Sequence, residues 1–134
     1  MLKDHARFAR AGCLAAAVAA LASVSQAQTR VPAVRCAPAA KYACMMGGRC
    51  ASAAEIGTPI VEWSRIIPST QTYERCDQEG CRPQPFEAYQ SGEYTIVDLV
   101  GTVGFVKIAP DQAYVEVVSL NTSVIITYGY CRAE

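Results

Sequence analysis

Six cysteines spread between residues 36 and 131 constrain this chain more than any other feature: Cys36, Cys44, Cys50, Cys76, Cys81 and Cys131. An even number in a small exported domain reads as three disulfides. A structural zinc site would want cysteines two to four residues apart, usually in two such pairs and often with histidine. Cys76 and Cys81 come near that spacing, but Cys44 and Cys50 are too far apart to match it. Gly47 and Gly48 lie between Cys44 and Cys50 and suit a tight hairpin, so a cross-strand Cys44–Cys50 bridge follows naturally. Cys76–Cys81 would close the loop Asp77-Gln78-Glu79-Gly80, and Cys36–Cys131 would tie the start of the domain to its end. A rival scheme joins Cys76 or Cys81 to Cys131.

The oxidising compartment that such bridges need is supplied by the N-terminus. Lys3, Arg7 and Arg10 form a basic start, residues 11–22 run without a charge, and Ser25 and Ala27 are small. That order is the signature of a secretory signal peptide, and its apolar run is too short for a membrane span. Residues 1–27 are therefore expected to be cleaved before Gln28, leaving a periplasmic or secreted product. Cys13 stands at the start of the apolar run and leaves with it. The 107 remaining residues of the 134 suit one domain.

Removing Lys3, Arg7, Arg10 and Asp4 takes twelve basic and twelve acidic residues to nine and eleven. Neither sign forms a run, so nucleic acid is not an expected partner, and no second apolar stretch approaches spanning length.

Residues 28–40 hold prolines and alanines without periodicity and read as an irregular arm, with a single β-domain over 41–134. Its expected strands are 41–46, 59–67, 72–75, 86–89, 93–100, 104–108, 113–120 and 123–131, rich in Val, Ile, Tyr, Phe and Thr. Gly47-Gly48, Pro68-Ser69, Glu79-Gly80, Ser91-Gly92, Pro110-Asp111 and Asn121-Thr122 separate them as turns. Val124, Ile126, Tyr128 and Tyr130 alternate with Ile125, Thr127 and Gly129, while Asp98, Lys107 and Glu116 suit a wet sheet face. Trp63 is expected in the core. Residues 50–56 are the one helical candidate, too short to stand alone. The fold class is all-β: an antiparallel meander closed as a barrel or folded as a sandwich, stapled by disulfides.

The sole histidine, His5, belongs to the leader. Without it the mature chain lacks the usual base of serine and cysteine nucleophiles and the usual imidazole metal ligand. Glu74, Asp77 and Glu79 crowd the Cys76–Cys81 loop and could in principle serve glycoside hydrolysis or hold calcium, but they suit a solvated turn better. No catalytic residue, metal or cofactor is expected, and the chain reads as a non-enzyme.

The string Tyr73-Glu74-Arg75-Cys76-Asp77-Gln78-Glu79-Gly80-Cys81, with Tyr128-Gly129-Tyr130-Cys131, resembles a group of small uncharacterised bacterial periplasmic proteins over residues 42–132. A weaker likeness is to the periplasmic inhibitors of c-type lysozyme, which are small β-barrels. Their loop motif Ser-Gly-x-x-Tyr is one residue shorter here, Ser91-Gly92-Glu93-Tyr94, and their second motif is missing. The expected function is a non-enzymatic module binding a protein or an envelope or cell-wall component. A lysozyme-inhibitor-like protein and a small carboxylate hydrolase are the alternatives. Ser91, Gly92, Glu93 and Tyr94 are the candidate contact residues, with the Cys76–Cys81 loop expected beside them, because binding residues sit on loops of a rigid scaffold.

Overall fold

The computed structural model describes residues 30–57 and 61–134. The expected leader, its expected cleavage point at Gln28 and residues 59 and 60 of the second expected strand lie outside them. The elements run β1 (Val34–Met45), β2 (Cys50–Ser52), α1 (Ala53–Ile56), β3 (Trp63–Ile67), β4 (Thr72–Asp77), β5 (Gly80–Ser91), β6 (Tyr94–Leu99), β7 (Gly104–Ile108), β8 (Ala113–Leu120) and β9 (Ser123–Ala133). Each neighbour is antiparallel, and β1 pairs with β9, so eight strands close into a barrel while β2 pairs with β1 alone. The choice between barrel and sandwich is thereby settled. Among the described residues no helix is long and apolar enough to cross a membrane.

Local chemistry explains the ends of several elements. Ser52 caps α1 through a reciprocal pair with Glu55, whose carboxylate accepts from the Ser52 backbone at 2.6 Å. Strand β5, with 12 residues against the four of the expected strand 86–89, is three times as long as the sequence suggests because its two halves serve different partners. Residues 80–85 pair with β4 and 86–91 with β6. The Pro85 carbonyl faces the β6 side, where it accepts from Val100 at 2.9 Å. Its missing N–H would point the same way, beyond the reach of the β6 ladder, so proline costs no strand–strand bond there.

The register of β9 decides the inside of the barrel. Thr127, Gly129 and Cys131 are buried, while Tyr128 and Tyr130 point outward. Gly129 sits where the walls approach most closely: a Cβ there would lie 2.1 Å from the Ala37 carbonyl oxygen and 2.6 Å from the Tyr114 ring. Around this point Val34, Cys36, Ile66, Tyr73, Phe86, Val97, Leu99, Val106, Ile108 and Tyr114 fill the lower barrel. Each large apolar side chain so buried contributes about 1.5–3 kcal/mol.

Three expectations are corrected. Val34–Ala40 is not an irregular arm but the first part of β1, because it pairs with β9 along its length and its first three residues, Val34, Arg35 and Cys36, also pair with β3. Trp63 is not core: Ser64 and Ile66 take the inward positions of β3, and Trp63 stands half-buried on the outer wall. Glu116 does not face water but is buried inside the barrel, where Arg75 meets it.

The bridges are Cys36–Cys131, Cys44–Cys50 and Cys76–Cys81, which removes the rival scheme through Cys131. Their loops differ in length, with separations of 95, 6 and 5 residues. Loop-closure entropy makes the long one worth about 4–5 kcal/mol and each short one about 2 kcal/mol. Pairwise Cys→Ala replacement followed by urea denaturation is expected to rank Cys36/Cys131 well above either short pair. Gly129→Ala is expected to destabilise by about 1–3 kcal/mol or more, since the backbone it would strike cannot retreat cheaply.

Candidate functional site

The apolar plug fills only the lower barrel. At the other end, where the β4–β5 and β8–β9 turns lie, the interior opens into a cavity of about 700 Å³. Val61, Val118, Leu120 and Ile125 form an apolar side, and Lys41, Arg75, Glu116 and Thr127 form a polar floor. Glu62, Asp77, Glu79 and Arg82 stand around the rim.

Each floor residue is placed by strand register. Arg75 on β4 lies opposite Ser64, and Glu116 on β8 lies between the inward positions of Tyr114 and Val118. The Arg75 Nε donates to Glu116 Oε1 at 2.6 Å, and its Nη1 donates to Gln84 Oε1 at 3.1 Å. Gln84 in turn donates to the Val100 carbonyl and to Thr102. A carboxylate this buried is tolerable only with a cation and hydrogen bonds around it. Lys41 reaches the floor through a bulge between Pro38 and Ala40. Strict alternation from the buried Cys36 would send Lys41 outward and Tyr42 inward. The extra residue reverses this, so Lys41 and Ala43 face the interior, and Tyr42 packs edge-on to Tyr128 outside at 6.3 Å. Burial lowers the Lys41 ammonium from its ordinary pKa, with Glu116 opposing the shift and Arg75 adding to it.

Two phenols lie beneath this floor. Burial, and then the charge of Glu116, raises the pKa of both Tyr73 and Tyr114 beyond the usual phenol range. Ser64 lies close enough to oppose the shift, yet neither its hydroxyl nor that of Tyr73 makes a hydrogen bond of good geometry.

The sequence candidates fall elsewhere or apart. Ser91 pairs with Tyr94 across the Gly92-Glu93 turn, where Gly92 takes a left-handed φ of 62°. This hairpin is at the opposite end of β5 from the Cys76–Cys81 loop, so the two are not neighbours as expected. Tyr94 begins β6, half-buried, with the Lys107 ammonium 3.7 Å from its ring centre. Glu74, Asp77 and Glu79 likewise do not form one group. Glu74 accepts from Arg65 Nε at 2.6 Å on the outer wall. Asp77 accepts the Glu79 N–H at 2.9 Å and pairs with Arg82 at the rim. The close cluster Glu74, Cys76 and Cys81 offers no thiolate, because its sulfurs are joined. Among the tyrosines, Tyr73 is core while Tyr89, Tyr128 and Tyr130 are exposed.

Reasoning from sequence missed the floor. Arg75 was visible only as part of a cysteine motif, and Glu116 only as a break in an apolar strand. A charge at an inward position of an otherwise apolar strand was the signal available for Glu116. No family model, curated protein or solved structure matches this chain. The class its own residues define is a closed, eight-stranded, disulfide-bonded antiparallel barrel with a polar cavity at one mouth.

Glu116→Ala is expected to cost about 3 kcal/mol, because it strands Arg75 in the barrel. Adding Arg75→Met to it should recover most of that loss. Urea melts of the single and double variants check the pair.

Proposed function

We propose that this protein is a non-catalytic binding module acting in the periplasm or outside the cell. It takes a small amphipathic group, from an envelope component or a partner protein, into the open mouth of the barrel. The cavity of about 700 Å³ carries this reading, since ligand sites typically occupy about 300–1,000 Å³ and are frequent in the mouths of β-barrels. The wall of Val61, Val118, Leu120 and Ile125 suits an apolar segment, while Lys41, Arg75, Glu116 and Thr127 suit a polar head. The absence of histidine outside the leader favours binding over acid–base chemistry. Disulfides on the β1–β9 seam and at two hairpins favour a site formed in advance, which lowers the entropy lost on binding.

Leu120, half-exposed at the rim, tests the reading. The oxidised mature protein incubated with envelope extract is expected to retain a bound small molecule or peptide in native mass spectrometry. Leu120→Arg should weaken that retention at least about tenfold, or about 1.4 kcal/mol, with the melting temperature little changed. Equal retention by a folded Leu120→Arg protein would place binding outside the cavity. The inhibitor-like alternative uses Ser91, Gly92, Glu93 and Tyr94 at the far end, so it predicts that this variant binds normally.

A further inference from the structure

We infer that the outer wall of β9, β1 and β3 carries a second site, separate from the mouth, that binds a phosphate group. The observation is a row of arginines that only the folded register assembles. Arg132 on β9 pairs with Arg35 on β1, and Arg35 pairs with Arg65 on β3. Their neighbours Cys131, Cys36, Ser64 and Ile66 are buried, so all three arginines face outward. Adjacent strands lie about 4.8 Å apart, which sets three guanidinium stems side by side across about 10 Å.

Trp63 shares this wall and orders two of them. The Arg35 guanidinium carbon lies 4.0 Å from its ring centre and that of Arg65 lies 5.7 Å away. A cation held over an indole loses less freedom when an anion arrives. Like charges directly opposite one another across strands are destabilising, and the wall neutralises them incompletely. Glu74 accepts from Arg65 Nε, and Glu134 acts on Arg65 electrostatically. Among the described residues neither Arg35 nor Arg132 makes an ion pair. The Arg35–Arg132 half of the row is thus an open pair of planar donors on neighbouring strands. Guanidinium forks bind phosphate oxygens in pairs. A phosphomonoester brings a charge of about −1.5 to −2 at neutral pH and three acceptor oxygens, a closer match to two guanidinium groups from neighbouring strands than a singly charged planar carboxylate. The ligand class is a phosphate or phosphomonoester, either free in solution or on a lipid headgroup.

Because Trp63 is the sole tryptophan, its fluorescence reports on this wall alone. The oxidised protein is titrated with inorganic phosphate against chloride at equal ionic strength. A parallel titration uses phosphatidylcholine vesicles with and without phosphatidic acid. A saturable change with phosphate beyond that with chloride identifies a soluble phosphate ligand. A change confined to phosphatidic acid vesicles identifies a headgroup. Either should weaken at least about fivefold in Arg132→Gln and further in Arg35→Gln with Arg132→Gln. Arg132 is exposed and makes no ion pair among the described residues, so its variant stays folded and interpretable even if Arg35→Gln disturbs the indole. No response to either probe, or a response undiminished in Arg132→Gln, would overturn the inference. The mouth site is untouched by both variants, so the outcome is independent of the cavity.

Discussion

The ladder between β1 and β9 is the interaction on which everything else depends. It joins the first strand to the last over almost the full length of both, from Val34 opposite Ala133 to Met45 opposite Ser123. Without it the nine strands would be an open sheet with two unpaired edges, a form prone to pairing with other chains. With it the sheet has an inside, and the buried Cys36–Cys131 bridge lies on the seam itself. Closing contacts this distant in sequence is costly in chain entropy. A covalent link across 95 residues offsets that cost where it is greatest.

Closure also gives the two ends of the barrel different characters. Below, small residues such as Gly129 and Ser64 let the walls approach around Tyr73, Tyr114 and Ile66. Above, the Pro38/Ala40 bulge turns Lys41 inward, and Arg75 meets Glu116 across the barrel. A buried ion pair is a poor way to gain stability, since desolvation offsets much of the attraction. Here it holds the upper interior polar and stops the apolar plug from extending to the rim. The cavity is the consequence.

Much of this was legible in the sequence. Strands β7 and β8 have the bounds that alternation and turn residues indicate, and the all-β class and the favoured bridges agree with the structure. What escaped has physical causes. Pro38 and the alanines around it hid the first half of β1, because a segment held in the ladder with β9 needs little propensity of its own. Pro83 and Pro85 hid the upper half of β5 in the same way. Trp63 is expected inward because it alternates with the polar Glu62 and Ser64, whereas Ser64 and Ile66 take the inward positions and leave Trp63 outside, under Arg35 and Arg65. The bulge could not be read, so the orientation of Lys41 and Tyr42 could not be either. Arg35, Arg65 and Arg132 form no run in the sequence, and only the register of three strands reveals them as a row.

Native-state hydrogen exchange of the oxidised protein tests the closed barrel most directly. If β1 and β9 seal the sheet, their amides exchange only through the global opening that also exposes β6, β7 and β8, with a common free energy. A β1–β9 seam that exchanges far faster than those central strands would contradict closure. The cavity and the arginine row would lose their foundation with it.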